Sequence, residues 1–189
     1  MFPIFVFYLL KDREKVRDSF IDSFPTDWQI HVVYVLRILN RVAGAYVRAQ
    51  VSLAACVWIA ISVGLYFLGV EYAVLLGAVA GIFEFIPIIG AWLGAIPAVV
   101  VVLSTSPDKI ILVLLLYVGV QFIQGAILVP RIQSLALRVH PLMILVGIVI
   151  GSEIGGLWGV ILGPPILASA KEILVYFSHP EKYHSANPY

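Results

Sequence analysis

Apolar runs long enough to cross a membrane alternate along this chain with short clusters of charge. A helical crossing takes about 20 mostly apolar residues. Met1 to Leu10 is apolar but too short, and reads as the tail end of a span or a partial helix. It has no basic n-region and no small-residue cleavage site, so it does not read as a signal peptide. Lys11 to Asp18 (KDREKVRD) reads as a charged turn outside the bilayer. TDWQ at 26–29 offers a capping box, with Thr26 accepting from the first turn and Gln29 reaching back. The helix it starts is amphipathic: Arg37, Arg41 and Arg48 share a stripe, while Ile30, Val33, Tyr34 and Ile38 lie largely elsewhere. Such a helix lies at the membrane interface or packs on a partner helix. Val51 to Gly69 is a clean span, and Lys109 to Leu128, opened by the helix-starting SPD, is another.

Two further apolar stretches are interrupted. Ala73 to Leu103 contains Pro87, Gly90, Gly94 and Pro97, and Pro141 to Ala170 contains Gly155, Gly156, Gly163, Pro164 and Pro165. Each is too long for one ordinary span and is predicted to fold as a hairpin. Charge supports this. Lys11, Arg13, Lys15, Arg17, Arg37, Arg41 and Arg48 cluster before the first full span, which makes that side cytoplasmic. With two hairpins, Arg131, Arg138, Lys171 and Lys182 all return to the same side. The predicted fold class is all-α, a polytopic helical membrane protein with two hairpin-like broken segments. Its parts are a partial membrane helix and charged cytoplasmic loop (1–25), an amphipathic interfacial helix (26–50), a transmembrane core (51–170) and a cytoplasmic tail (171–189).

Composition agrees with that pattern. Hydrophobic residues make up 61% and charged residues 12%, with a mean hydropathy of +1.02; a soluble domain carries roughly twice that charge. A net charge of +1 gives no reason to expect a nucleic-acid partner. The single cysteine, Cys56, allows neither an internal disulfide nor a cysteine metal cluster. There is no H-E-x-x-H, no G-x-S-x-G, no P-loop and no aspartate within a span. The chain therefore does not read as an enzyme, and no cofactor or metal is expected.

The candidate chemistry lies in the broken segments. A carboxylate at membrane depth costs about 2.5 to 3.5 kcal/mol on insertion scales, so it seldom sits there idle. Glu84, in GIFEFIPIIG, and Glu153 are the acidic residues deep in these stretches. The two segments are faintly alike, IGAWLGAIP at 89–97 against IGGLWGVILGP at 154–164, and paired interrupted segments point to a transporter's binding site. Either glutamate is protonated and hydrogen-bonded to unwound backbone, or it binds a proton or cation. The predicted path contains Glu84, Pro87, Gly90, Glu153, Gln121 and Gln124. Pro87 cannot donate a hydrogen bond, so carbonyls near Phe83 are expected to lose their partners. Gln121 and Gln124, three apart on one face, also suit hydrogen bonding between helices. Arg131 and His140 flank a loop where they would gate the path, although positive-inside bias and a helix cap explain them as well. Gly147, Gly151, Gly155, Gly159 and Gly163 recur every four residues as a smooth ridge, and Gly77 with Gly81 and Gly90 with Gly94 repeat the spacing. Small-xxx-small spacing lets helix backbones approach closely, within the chain or across a homo-oligomer.

LGAVAGIFEFIPIIGAWLGAIPA, followed by VPRIQSLALRVHPLMILVGIVIGSEIGGLWGVILGPPILASAKEIL, resembles the AI-2E family of bacterial membrane transporters. The matching features are Ile86, Pro87 and Gly90 with Pro97; Pro130, Arg131, His140 and Pro141; and Gly155, Gly159, Pro165 and Lys171. The match covers essentially the whole chain but only the C-terminal part of a typical member. Glu84 departs from it, standing where many members have a neutral amide, and Ala91 stands where proline is common. The resemblance implies a multi-pass protein of the bacterial inner membrane whose partners are the bilayer and a small molecule or ion. It implies export of a small solute such as autoinducer-2, or cation exchange, coupled to protons or sodium. A passive channel and a non-transporting scaffold are the alternatives.

Overall fold

The computed structural model describes residues 11–86 and 89–178, so the expectations for Met1 to Leu10, Pro87 and Lys182 fall outside the described residues. Those residues form seven α-helices and no strand: α1 (Arg13–Asp22), α2 (Thr26–Phe67), α3 (Ala73–Phe83), α4 (Ile89–Thr105), α5 (Ile110–Ile123), α6 (Val129–Leu137) and α7 (Pro141–Ser178). A 3₁₀ turn, Pro107–Lys109, precedes α5, and a π turn, Gln124–Leu128, joins α5 to α6. The fold class is as predicted. The chain divides into two compact units, Met1–Arg41 and Val42–Tyr189.

In the first unit the charged stretch read as a turn is helical. No glycine or proline interrupts it before Pro25, and its Arg, Glu and Lys side chains are good helix formers. Gln29 does reach back, but it donates to the carbonyl of Phe24 at 3.2 Å, so the expected capping box is not the one formed. Tyr34 and Ile38, one turn apart, are buried, and the Arg37 guanidinium lies 5.5 Å from the Tyr34 ring centroid. The segments read separately as an interfacial helix and a span belong to one helix, α2. No proline stands between them, and Gly44 is its only glycine before Gly64.

In the second unit, Val57, Ile61 and Leu65 of α2 form a buried stripe with Ala73, Leu76 and Ala80 of α3, Ala98 and Val102 of α4, and Val113 and Tyr117 of α5. Glycines permit this closeness. A Cβ on Gly81 would lie 2.8 Å from the Ala54 carbonyl oxygen, and one on Gly94 would lie 2.8 Å from the Ala80 Cα. α3 and α4 thus form a hairpin docked on α2. Their lengths, about 16 and 25 Å, fall short of a roughly 30 Å hydrocarbon core. The outward faces are apolar: Phe67 is 81% exposed, Phe122 74% and Ile154 83%. A soluble protein does not leave so much aromatic and aliphatic surface to water. Thr26–Phe67, Pro107–Gln133 and Pro141–Ser178 are long and apolar enough to cross a membrane.

α7 folds back on itself at Gly156, where φ is +51° and ψ −130°, values that only glycine adopts without strain. Gly147 and Gly163 would stand about 24 Å apart along one straight helix, yet a Cβ on Gly147 would lie 3.0 Å from the Gly163 carbonyl carbon. The glycine ridge therefore packs against its own continuation, rather than joining the two broken segments. Gly155 is the exception, because it sits beside the turn with nothing near it. At the open end Lys171 donates to the carbonyl of Arg138 at 3.2 Å, so both ends of the hairpin meet. An α7 that turns back within the bilayer is expected to bring residues 138 and 178 out on one side. In intact cells lacking Cys56, a cysteine at Ser106 should react with an impermeant thiol reagent, while cysteines at Arg138 and Ser178 should not. Labelling at 178 but not 138 would instead require α7 to cross as a single span.

Candidate functional site

Glu84 occupies the position just after α3, at the tip of the first hairpin. Its backbone N–H still donates to the carbonyl of Ala80 at 3.1 Å. The next turn tightens: Phe85 N–H donates to Ile82 and Ile86 N–H to Phe83, so the Phe83 carbonyl keeps a partner. This corrects the expectation that it would be orphaned, since a last turn of i→i+3 bonds satisfies helix-end carbonyls. The carbonyl left for a side chain is that of Glu84 itself, which accepts from Gln50 Nε2 at 2.7 Å.

The Glu84 side chain is 5% exposed, the single charged side chain buried among the described residues. Its Oε1 accepts from Gln124 Nε2 and the Gln121 amide also lies near the carboxylate, while its Oε2 makes no well-aligned hydrogen bond. Gln124 opens the π turn, where Val129 N–H donates to the Gln124 carbonyl, five residues back. Pro130 explains the irregularity, because it cannot donate to Ala126 as a regular helix requires. The Gln124 amide nitrogen is committed to Glu84, which leaves its Oε1 as a second buried acceptor without a partner. Behind them Gln133 Nε2 donates to Gln50 Oε1 at 2.9 Å. A cavity of about 290 Å³ opens on these groups, walled on its far side by Pro141, Ile144, Leu145 and Ile148 of α7. No lysine, arginine or histidine pairs with Glu84 among the described residues. The site is thus a carboxylate among the amides of Gln50, Gln124 and Gln133, with Gln121 at its border, and its buried unpartnered atoms are Glu84 Oε2 and Gln124 Oε1.

The structure brings together Glu84 and Gln124, with Gln121 bordering the same cavity. It does not bring Glu153 there, since that residue lies exposed three positions before the Gly156 turn. Gly90 packs against the Phe83 carbonyl and serves the hairpin closure, not the cavity lining. Arg131 is exposed at the start of α6. His140 caps α7, its Nδ1 accepting from Leu142 N–H at 3.3 Å. Gln50 and Gln133 were not singled out from the sequence. Each sits in a stretch that also carries arginines, where a glutamine is unremarked, and they meet across 83 positions.

Comparison with known proteins agrees with this architecture. Residues 1–178 match the family described as AI-2E family transporter. A Bacillus subtilis (strain 168) protein named "Putative transport protein YrrI" is 29% identical over 93% of this chain and 50% of its own length. The Escherichia coli (strain K12) protein named "Putative permease PerM" is 30% identical over 91% of this chain and 49% of its own. A Halobacillus andaensis protein named "Sodium-lithium/proton antiporter" is 24% identical over 91% of this chain and 50% of its own. No solved structure matches. The chain spans about half the length of the curated relatives it matches. With two broken hairpins in a helical membrane fold and a family match over nearly all of its length, the chain belongs to the AI-2E transporter family.

Proposed function

We propose that this chain carries the coupling site of a secondary transporter of the cell membrane, in which Glu84 alternately holds a proton and a small monovalent cation. One observation carries the proposal: a carboxylate oxygen and an amide oxygen are both buried without partners, on two residues that line one cavity, with no basic side chain paired to the acid. Unpaired buried charge is costly, so such a carboxylate takes up a proton or a cation. A single acid suits a monovalent ion. Divalent calcium draws six to eight oxygens, commonly from several carboxylates, and no cluster of acids or histidines fit for a metal occurs among the described residues. The carboxylate stands at a helix break, the place where transporters of broken-helix design hold their coupling ions. The name of the Halobacillus relative supports cation exchange. Export of a small solute driven by the same ion is the second reading, supported by a cavity of about 290 Å³ with amide and apolar walls.

The test is flux. The full chain is placed in liposomes holding a pH-sensitive dye, and sodium, lithium or potassium chloride is added outside. Sodium or lithium should drive protons out and raise the internal pH. Cation entry without proton movement would mean a passive channel, and no cation-dependent movement at all would leave a scaffold.

A further inference from the structure

We infer that Gln50, held in place by Gln133, determines which cation the Glu84 site accepts by competing for one backbone carbonyl and weakening it as a ligand. The inference rests on the reading of Glu84 as a cation site. The Glu84 carbonyl lies at the C-terminal end of α3, where the helix dipole is negative and a cation is favoured. It belongs to the same residue as the unpartnered Oε2, and Glu84 and Gln124 both line the cavity, so it is the backbone oxygen available to such a site. Gln50 Nε2 donates to it at 2.7 Å, which engages one of its two lone pairs and weakens it as a cation ligand. Both glutamines are buried, 3% and 6% exposed, and both border the cavity.

The direction of the relay is forced. A peptide carbonyl only accepts, so Gln50 must turn its nitrogen toward Glu84 and its oxygen toward Gln133. Gln133 Nε2 fills that oxygen at 2.9 Å and stops the amide from turning over. The site is left with few strong protein oxygens, an arrangement that suits a small cation keeping part of its water. Backbone carbonyls added to such a site replace the hydration shell of larger ions, as they do for potassium in channel filters. Weakening a carbonyl therefore favours sodium or lithium over potassium.

Gln50→Leu keeps the volume and cannot donate, so the carbonyl loses its competing donor and becomes a stronger ligand. Gln133→Leu leaves the donor but frees it to rotate, so it should act in the same direction and more weakly. Binding is measured directly on the purified full chain by calorimetry with sodium, lithium and potassium chloride. The affinity ratio of sodium to potassium does not depend on the fraction of protein folded. It should fall about tenfold in Gln50→Leu, equivalent to about 1.4 kcal/mol, and about threefold in Gln133→Leu. If Gln50→Leu does not fold, Gln133→Leu decides alone. An unchanged ratio in whichever variant folds overturns the inference, even if cation-driven flux persists. A changed ratio in a protein without flux upholds it while refuting the transport reading. Absence of cation binding in the unmodified chain overturns both.

Discussion

Glu84→Gln abolishes the dependence of transport on a proton or sodium gradient while the protein still folds. Glutamine matches the shape of glutamate, so the turn after α3 and the Gln50 bond to the residue 84 carbonyl survive, because that bond uses backbone only. What disappears is the one buried acid in the cavity. With no charge to neutralise, neither proton nor cation is favoured over the other. Flux driven by an imposed gradient should therefore drop to the level of empty liposomes, while size-exclusion elution and helical content stay unchanged. Glu153→Gln is the control: Glu153 is exposed near the Gly156 turn, and its variant should transport like the unmodified protein. Equal ion dependence in Glu84→Gln and the unmodified chain would reduce Glu84 to a structural plug.

Gly159→Leu has the second large effect, loss of the α7 hairpin and with it of folded protein. A Cβ at 159 would overlap the Gly151 carbonyl oxygen and lie 3.1 Å from the Gly151 Cα. The obstacle is backbone, so no side-chain rotation relieves it. Overpacking of a well-filled site commonly costs about 1 to 3 kcal/mol, and a backbone conflict stands above that range. The first arm of α7 also walls the Glu84 cavity, so parting the arms opens the site. Gly155→Leu is expected to be tolerated, because nothing lies near that position. Expression and thermal stability of the two variants in detergent distinguish these outcomes. Equal stability would show that the ridge is not a packing surface.

The contrast between Gly155 and Gly159 marks where the sequence was legible. A four-residue spacing shows that a helix has a smooth side, but not what that side meets. Here the partner is the continuation of the same ridge, because Gly156 reverses the chain in its middle and removes Gly155 from the contact. The hairpins themselves were visible because prolines and glycines cluster inside the apolar runs, although Pro97, Pro164 and Pro165 are carried within helices and it is Gly156 that reverses α7. Glu84 and Gln124 were visible because polar groups stand out against apolar neighbours. Gln50 was hidden by Arg48 two positions before it, and Gln133 by Arg131. A hydrogen bond between residues so far apart leaves no local periodicity. The joining of 26–50 to the first span was hidden for another reason: a change from amphipathic to apolar pattern alters what a helix faces without interrupting its backbone.

The exchange of a proton for a cation at Glu84 is tested most directly without a membrane gradient. Purified full chain in weakly buffered detergent solution is mixed with sodium chloride while a pH indicator records protons released. Cation binding that displaces a proton from Glu84 should release protons in proportion to protein, saturating as the site fills, and Glu84→Gln should release none. Sodium binding without proton release, or equal release from Glu84→Gln, would contradict an exchange site at this residue.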